Sequence, residues 1–178
     1  MPTQLADLRG LVTNRRPCVD GERSVLRNYH QAQSHVRTVV VPLIDRGVPV
    51  LMGEVRGLAA IGQLRTFFGN IGDAHCRATV GSHRYSVGQA LEVLRNPAYV
   101  HPDVEDTRRK INQYKLEFAL PTSNPKVTIV SSPNEVLIAD GNKTAIAAYV
   151  FALESAGENF VLPISYIETS EYIPWPLC

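Results

Sequence analysis

Apolar residues recur along this chain in two patterns: at every third or fourth position in some stretches, and as short unbroken runs in others. The first pattern marks a helix with one buried face, the second a strand covered on both faces. Leu5, Leu8 and Leu11 or Val12 have helical spacing, but Gly10 and Pro17 keep that helix short. Arg23 to Ser34 contains neither Gly nor Pro and sets Leu26 and Tyr29 or His30 on one side, which predicts a second helix. Val36 to Ile44 is rich in β-branched residues, Asp45-Arg46-Gly47 is a turn sequence, and Val48 to Val55 returns as an extended run. A β-hairpin is expected there, with Pro42 and Pro49 at an edge or a bulge because neither can donate to a ladder.

Glycines at 53, 57, 62, 69 and 72 then punctuate a segment that reads as loop with one short helix. Ser86 and Gln89 form a capping box ahead of a helix from Val87 to about Arg95, stopped by Asn96-Pro97. Asp103 is the expected N-cap of a longer helix whose Val104, Ile111, Tyr114 and Phe118 form an apolar stripe. Beyond the break at Pro121 to Pro125, Val127 to Val130 and Val136 to Ala139 are short buried strands joined by Ser132-Pro133-Asn134. The alanine-rich stretch from Thr144 to about Ser155 is helical in composition and closed by Gly157, and Val161 to Ile167 is a last strand. Tyr172 to Cys178 is an extended tail whose Trp175 and Tyr172 are expected either to fold back on the body or to meet a partner.

With 178 residues, 44% of them hydrophobic, the chain can bury a core of single-domain size. No apolar run approaches the roughly 20 residues of a membrane span, and the first residues lack a secretory pattern, so a cytosolic location is expected. Cys18, Cys76 and Cys178 are too far apart for a zinc motif, and His75 beside Cys76 reads as an ordinary pair. The net charge of +1 argues against a chain that coats nucleic acid by bulk electrostatics. Its distribution is uneven, with 15 Lys/Arg against 10 Asp/Glu up to Lys110 and 3 against 7 after it. Arg15, Arg16, Arg23, Arg27 and Arg37, with His30 and His35 among them, are either phosphate contacts or a solvated face.

The chemistry of most interest lies at Asp140-Gly141-Asn142-Lys143-Thr144, where a buried strand runs into a helix. Such a junction presents backbone N–H groups and the positive end of the helix dipole, a natural seat for phosphate. Gly141 allows close backbone approach, Asn142 and Thr144 offer neutral hydrogen bonds, Lys143 brings a positive charge, and Asp140 is a candidate base or metal ligand. The alternative is a plain turn with a cap and a solvated lysine. The spacing is not that of a P-loop.

From Lys126 through Val130, Val136 through Ala148 and Leu162 through Ile167, the order of strand, strand ending in Asp-Gly, alanine-rich helix and strand resembles the core of the ParB/sulfiredoxin superfamily. The resemblance implies an α/β (α+β) fold: a single ParB/sulfiredoxin-like domain over 36–178, core 103–168, with a small mixed sheet flanked by helices. Residues 1–35 are then a basic, partly helical extension. Members bind ATP or CTP phosphates at this turn, which makes Gly141, Asn142, Lys143 and Thr144 the expected nucleotide-binding residues and Asp140 and Lys143 the expected catalytic pair. Two departures matter. Family members end the motif in Arg where this chain has Thr144, moving the charge to Lys143, and no cysteine lies in the motif, which removes sulfiredoxin chemistry. The helix-turn-helix and dimerisation domain of a complete partition protein are not expected either.

Size, basic N-terminus and the Asp-Gly-Asn-Lys-Thr variant are most similar to the plasmid fertility-inhibition (oncogenic-suppression) branch. That resemblance implies a bacterial cytoplasmic ATPase and DNase that blocks DNA transfer through a type IV secretion system, held at the inner membrane only through a partner. ATP, a divalent metal (magnesium) on Asp140, and DNA contacts at Arg108, Arg109, Lys110, Arg15 and Arg16 are the implied ligands and sites. A secretion coupling protein or relaxosome component is the implied partner, and Glu54 and Glu117 are candidate second carboxylates. The competing expectations are a non-catalytic protein that docks on a secretion or partition component, and a kinase of a small metabolite such as free serine.

Overall fold

The computed structural model describes residues 5–32, 34–66, 85–98, 102–120 and 127–173. His75 and Cys76, Gly69 and Gly72, the break at Pro121 to Pro125, Trp175 and Cys178 lie outside the described residues. In chain order the elements are α1 (Leu5–Gly10), β1 (Val12–Pro17), α2 (Asp20–Gln31), α3 (Ser34–Asp45), β2 (Val50–Arg56), α4 (Leu58–Gln63), α5 (Val87–Arg95), α6 (Pro102–Glu117), β3 (Thr128–Ser131), β4 (Val136–Asp140), α7 (Asn142–Phe151) and β5 (Val161–Glu168). A π turn, Ala152–Ala156, and a single 3-10 turn, Gly157–Asn159, carry α7 into β5.

The strands form one mixed five-stranded sheet in the order β1-β2-β5-β3-β4. β3 runs parallel to β5, and the other neighbours are antiparallel. Every residue of β3 and β4 is buried, as unbroken apolar runs require when helices cover both faces of a sheet. Successive side chains alternate between two cores. Ile129, Val136, Ile138, Leu162, Ile164 and Tyr166 pack with α4 to α7. Val130, Leu137, Ala139 and Ile167 pack with Val40, Leu43 and Ile44 of α3. The result is a single mixed α/β domain, the expected fold class. Within it α7 is the central helix, with Ala145, Ile146, Ala147 and Ala148 all buried.

The expected hairpin over Val36 to Val55 is corrected: residues Ser34–Asp45 are helical and only β2 is a strand. Val40, Leu43 and Ile44 sit at three- and four-residue spacing and are fully or almost fully buried. Burying each such side chain stabilises by about 1.5–3 kcal/mol, whereas a β-branched residue lowers helix stability by at most about 0.7 kcal/mol, so packing decides. Pro42 remains inside the helix. The turn at Gly47 is real but ends a helix. Gly47 has φ 82°, its N–H donates to Ile44 O, and the N–H of Val48 donates to Leu43 O, the paired bonds of a Schellman motif. The Arg23 guanidinium also donates to Ile44 O, at 2.6 Å.

The first thirty-five residues, expected as an extension, supply the edge strand β1 beside β2 and the core residues Leu8 and Val12. The Ser86/Gln89 capping box is present in full, with Ser86 accepting from the Gln89 N–H and the Gln89 side chain accepting from the Ser86 N–H. Helix α6 begins at Pro102, which places Asp103 inside it. Among the described residues, no helix is long and apolar enough to cross a membrane.

Candidate functional site

Strand β4 ends at Asp140, and Gly141 turns the chain with φ 83° and ψ 25°, the left-handed region that glycine enters at no steric penalty. Helix α7 follows at once and has no side-chain cap. Asp140 Oδ1 accepts the Gly141 N–H at 2.8 Å. The first amide taken up by the helix is that of Ala145, which donates to Gly141 O at 2.8 Å. The amides of Asn142, Lys143 and Thr144 therefore precede the intrahelical ladder, where the positive end of the helix dipole lies. Asn142 Nδ2 donates back to Ile138 O at 3.3 Å, tying the turn to the strand.

Behind the turn lies a polar cluster built from three elements. His30 of α2 is fully buried; its Nε2 is 2.9 Å from Thr128 Oγ1 on β3, and its Nδ1 is 3.6 Å from Asp140 Oδ2. Thr128 and Asp140 are themselves cross-strand neighbours in the β3/β4 ladder. Tyr29 precedes His30, with its ring edge-on to the imidazole at 5.1 Å between centroids. Burial, with the Asp140 carboxylate beside it, pushes the Tyr29 hydroxyl up to about 12, and Tyr114 of α6 adds to the shift.

In front of the turn, cations gather on one carboxylate of α6. Asp106 accepts from Arg109 Nη2 at 2.6 Å, and Lys110 Nζ lies at 2.8 Å. Lys143 Nζ approaches the same group at 3.7 Å from the first turn of α7. Lys110 and Arg109 hold the Asp106 carboxyl down at about 2. Three cations thus converge on Asp106, and one of them, Lys143, comes from the first turn of α7, where the helix N-terminus favours an anion such as phosphate. A divalent ion on Asp140 would draw one oxygen away from the Gly141 amide or from the side facing His30. Among the described residues, no three His, Cys, Asp or Glu side chains group as a metal centre.

The other expected site residues lie elsewhere. Arg108 closes the C-terminal end of α5, donating to Leu94 O and Asn96 O at 2.6 and 2.9 Å, and pairs with Glu105. Arg15 and Arg16 are on β1 at the far edge of the sheet, four strand spacings or about 19 Å from β4. Arg15 stacks over the Tyr166 ring at 4.4 Å, and Arg16 pairs with Glu22 at 2.5 Å. Arg27 pairs with Asp45 at 2.6 Å. Glu54, on β2, is three strand spacings or about 14 Å from β4 and pairs with Arg56 at 2.8 Å. Glu117 is eleven residues, about 16 Å, along α6 from Asp106. Of the predicted residues the structure gathers Asp140, Gly141, Asn142, Lys143, Thr144, Arg109 and Lys110; it corrects His30, expected as a phosphate contact or part of a solvated face, to a fully buried residue behind the turn, and it adds Tyr29, Asp106, Tyr114 and Thr128. The chain matches no protein-family model, no curated protein and no solved structure.

Proposed function

We propose that this protein binds a nucleotide through its phosphates at the N-terminus of α7 and acts as a phosphohydrolase, an ATPase with DNase activity, as the ParB/sulfiredoxin resemblance implies. The observation that carries this reading is the junction itself: a buried strand, a left-handed Gly141 and an uncapped helix start, with Lys143 beside it. In this scheme the amides at the start of α7 cradle the phosphates, and Lys143 moves from Asp106 to the charge that develops on the transferred phosphoryl group. Magnesium bound with the nucleotide would supply further neutralisation. Arg109 and Lys110 extend the positive surface along α6 toward a DNA backbone. The wider role implied by the same resemblance is fertility inhibition: the product of one plasmid acting in the bacterial cytoplasm on DNA bound for a type IV secretion system, through a coupling protein or relaxosome component.

One observation favours a second reading. Asp140 spends its carboxylate on the Gly141 amide and the buried His30 side, which suits a structural turn in a non-catalytic docking protein. Purified protein with magnesium separates the two readings, using ATP hydrolysis and plasmid nicking beside the Asp140→Ala/Lys143→Ala double variant. Loss of both activities in the variant supports the enzyme. No hydrolysis or nicking by the wild type, with transfer inhibition intact in the variant, leaves the docking protein. Phosphoryl transfer to added serine would instead identify a metabolite kinase.

A further inference from the structure

His30 is assigned no task by the phosphate chemistry above, yet it is a fully buried imidazole set between two strands from a helix more than a hundred residues away from the turn in sequence. Its two nitrogens face different groups. Nε2 meets Thr128 Oγ1 at hydrogen-bond distance, 2.9 Å. Nδ1 lies 3.6 Å from Asp140 Oδ2, close enough for electrostatic attraction and too long for a direct hydrogen bond. The second oxygen of that same carboxylate accepts the Gly141 N–H at 2.8 Å. Side chain to side chain to backbone, the imidazole is therefore linked to the one amide whose placement sets the start of α7.

We infer that His30 is a positioning residue for the phosphate turn, holding Asp140 in the orientation that fixes the Gly141 amide. Its bearing on nucleotide affinity rests on the proposed function, while its hold on Gly141 does not. A carboxylate only accepts, so the neutral ring carries its proton on Nδ1, toward Asp140, and Nε2 accepts from the Thr128 hydroxyl. Tyr29, whose hydroxyl stays protonated beside Asp140, braces the carboxylate from the same helix. The N-terminal helix α2 thereby becomes the supporting wall of a site whose other parts come from β4, α6 and α7. Such supporting contacts keep a binding group within the narrow tolerance that binding demands.

The two nitrogens can be replaced one at a time, because an asparagine amide occupies the Nδ1 position and a glutamine amide the Nε2 position. The full chain is prepared as wild type, His30→Asn and His30→Gln. The Gly141 amide resonance is followed by 15N NMR, and ATP binding is measured by calorimetry without metal. His30→Asn is expected to keep the Gly141 resonance near its wild-type position and ATP affinity within about threefold, while His30→Gln shifts the resonance and weakens ATP about tenfold. A side chain that merely fills space predicts the reverse order, since glutamine is nearer to histidine in volume, and that order or equal behaviour overturns the inference. If wild type binds no ATP, the nucleotide reading fails and the Gly141 resonance alone decides the role of His30. Should either variant fail to fold, the ring-nitrogen spectrum of unmodified protein decides instead. A proton on Nδ1 with bare Nε2 supports the inference, and a bare Nδ1 facing the carboxylate overturns it.

Discussion

Replacing Gly141 with alanine tests whether the strand–helix junction stores the conformation on which the site depends. Gly141 has φ 83° and ψ 25°, a region where an L-residue with a Cβ loses about 1–2 kcal/mol relative to glycine. Asparagine visits this region far more readily than alanine, so Gly141→Asn should lose less. The neighbouring bonds hold the turn in place, since Gly141 donates to Asp140 Oδ1 and accepts from Ala145, each at 2.8 Å. The strain therefore appears in stability and is not relieved by a local change of fold. In urea denaturation the midpoint should fall for Gly141→Ala with the slope unchanged. For a domain of this size that is a drop of about 2–8 °C in Tm, with Gly141→Asn between alanine and wild type. Alanine as stable as glycine would refute the left-handed turn and the reasoning built on it.

Four further outcomes follow from particular contacts. Ser86→Ala removes the hydroxyl of a complete capping box and should cost about 1 kcal/mol by denaturant midpoint; an unchanged midpoint would mean the box is not formed in solution. A Cβ on Gly62 would meet Tyr149 Cε2 at 2.8 Å, so Gly62→Ala should destabilise by about 1–3 kcal/mol through overpacking between α4 and α7, measured in the same titration. The Asp106 carboxyl, held at about 2 by Lys110 and Arg109, has a folded value below its unfolded one. Its contribution is thus present above pH ~4 and lost as pH falls toward 2, and the carboxyl carbon should titrate near that lower value by NMR. Tyr29 carries the opposite sign of shift. Its hydroxyl is raised to about 12, so its contribution is complete below pH ~10 and lost as pH rises through 12. One late-titrating tyrosine should appear at 295 nm and vanish in Tyr29→Phe.

Much of this fold is written locally. Ser86 and Gln89 announce α5 because a capping box involves residues three apart, and the unbroken apolar runs at β3 and β4 mark strands covered on both faces. The junction at Asp140 to Thr144 was legible for the same reason. The Val39-Val40-Val41 stretch has the β-branched composition of a strand, yet it belongs to a buried helical stripe that only the second core reveals. Strand β1 was silent because its pattern after Val12 is wholly exposed, with no alternation to read. The rest of the site was illegible because it is made at long range. His30 meets Thr128 ninety-eight positions away, and Lys143 meets Asp106 across a helix pair. The basic residues were visible in sequence, but nothing there separates Arg109 and Lys110, which stand near Lys143, from Arg108, which closes a helix end.

A crystal soaked with ATP would reveal whether phosphate sits at the start of α7. Density for the triphosphate is expected against the amides of Gly141 to Thr144, with the Lys143 ammonium drawn from Asp106 toward it. Triphosphate bound elsewhere, or none at saturating ATP with Lys143 still on Asp106, would contradict that placement.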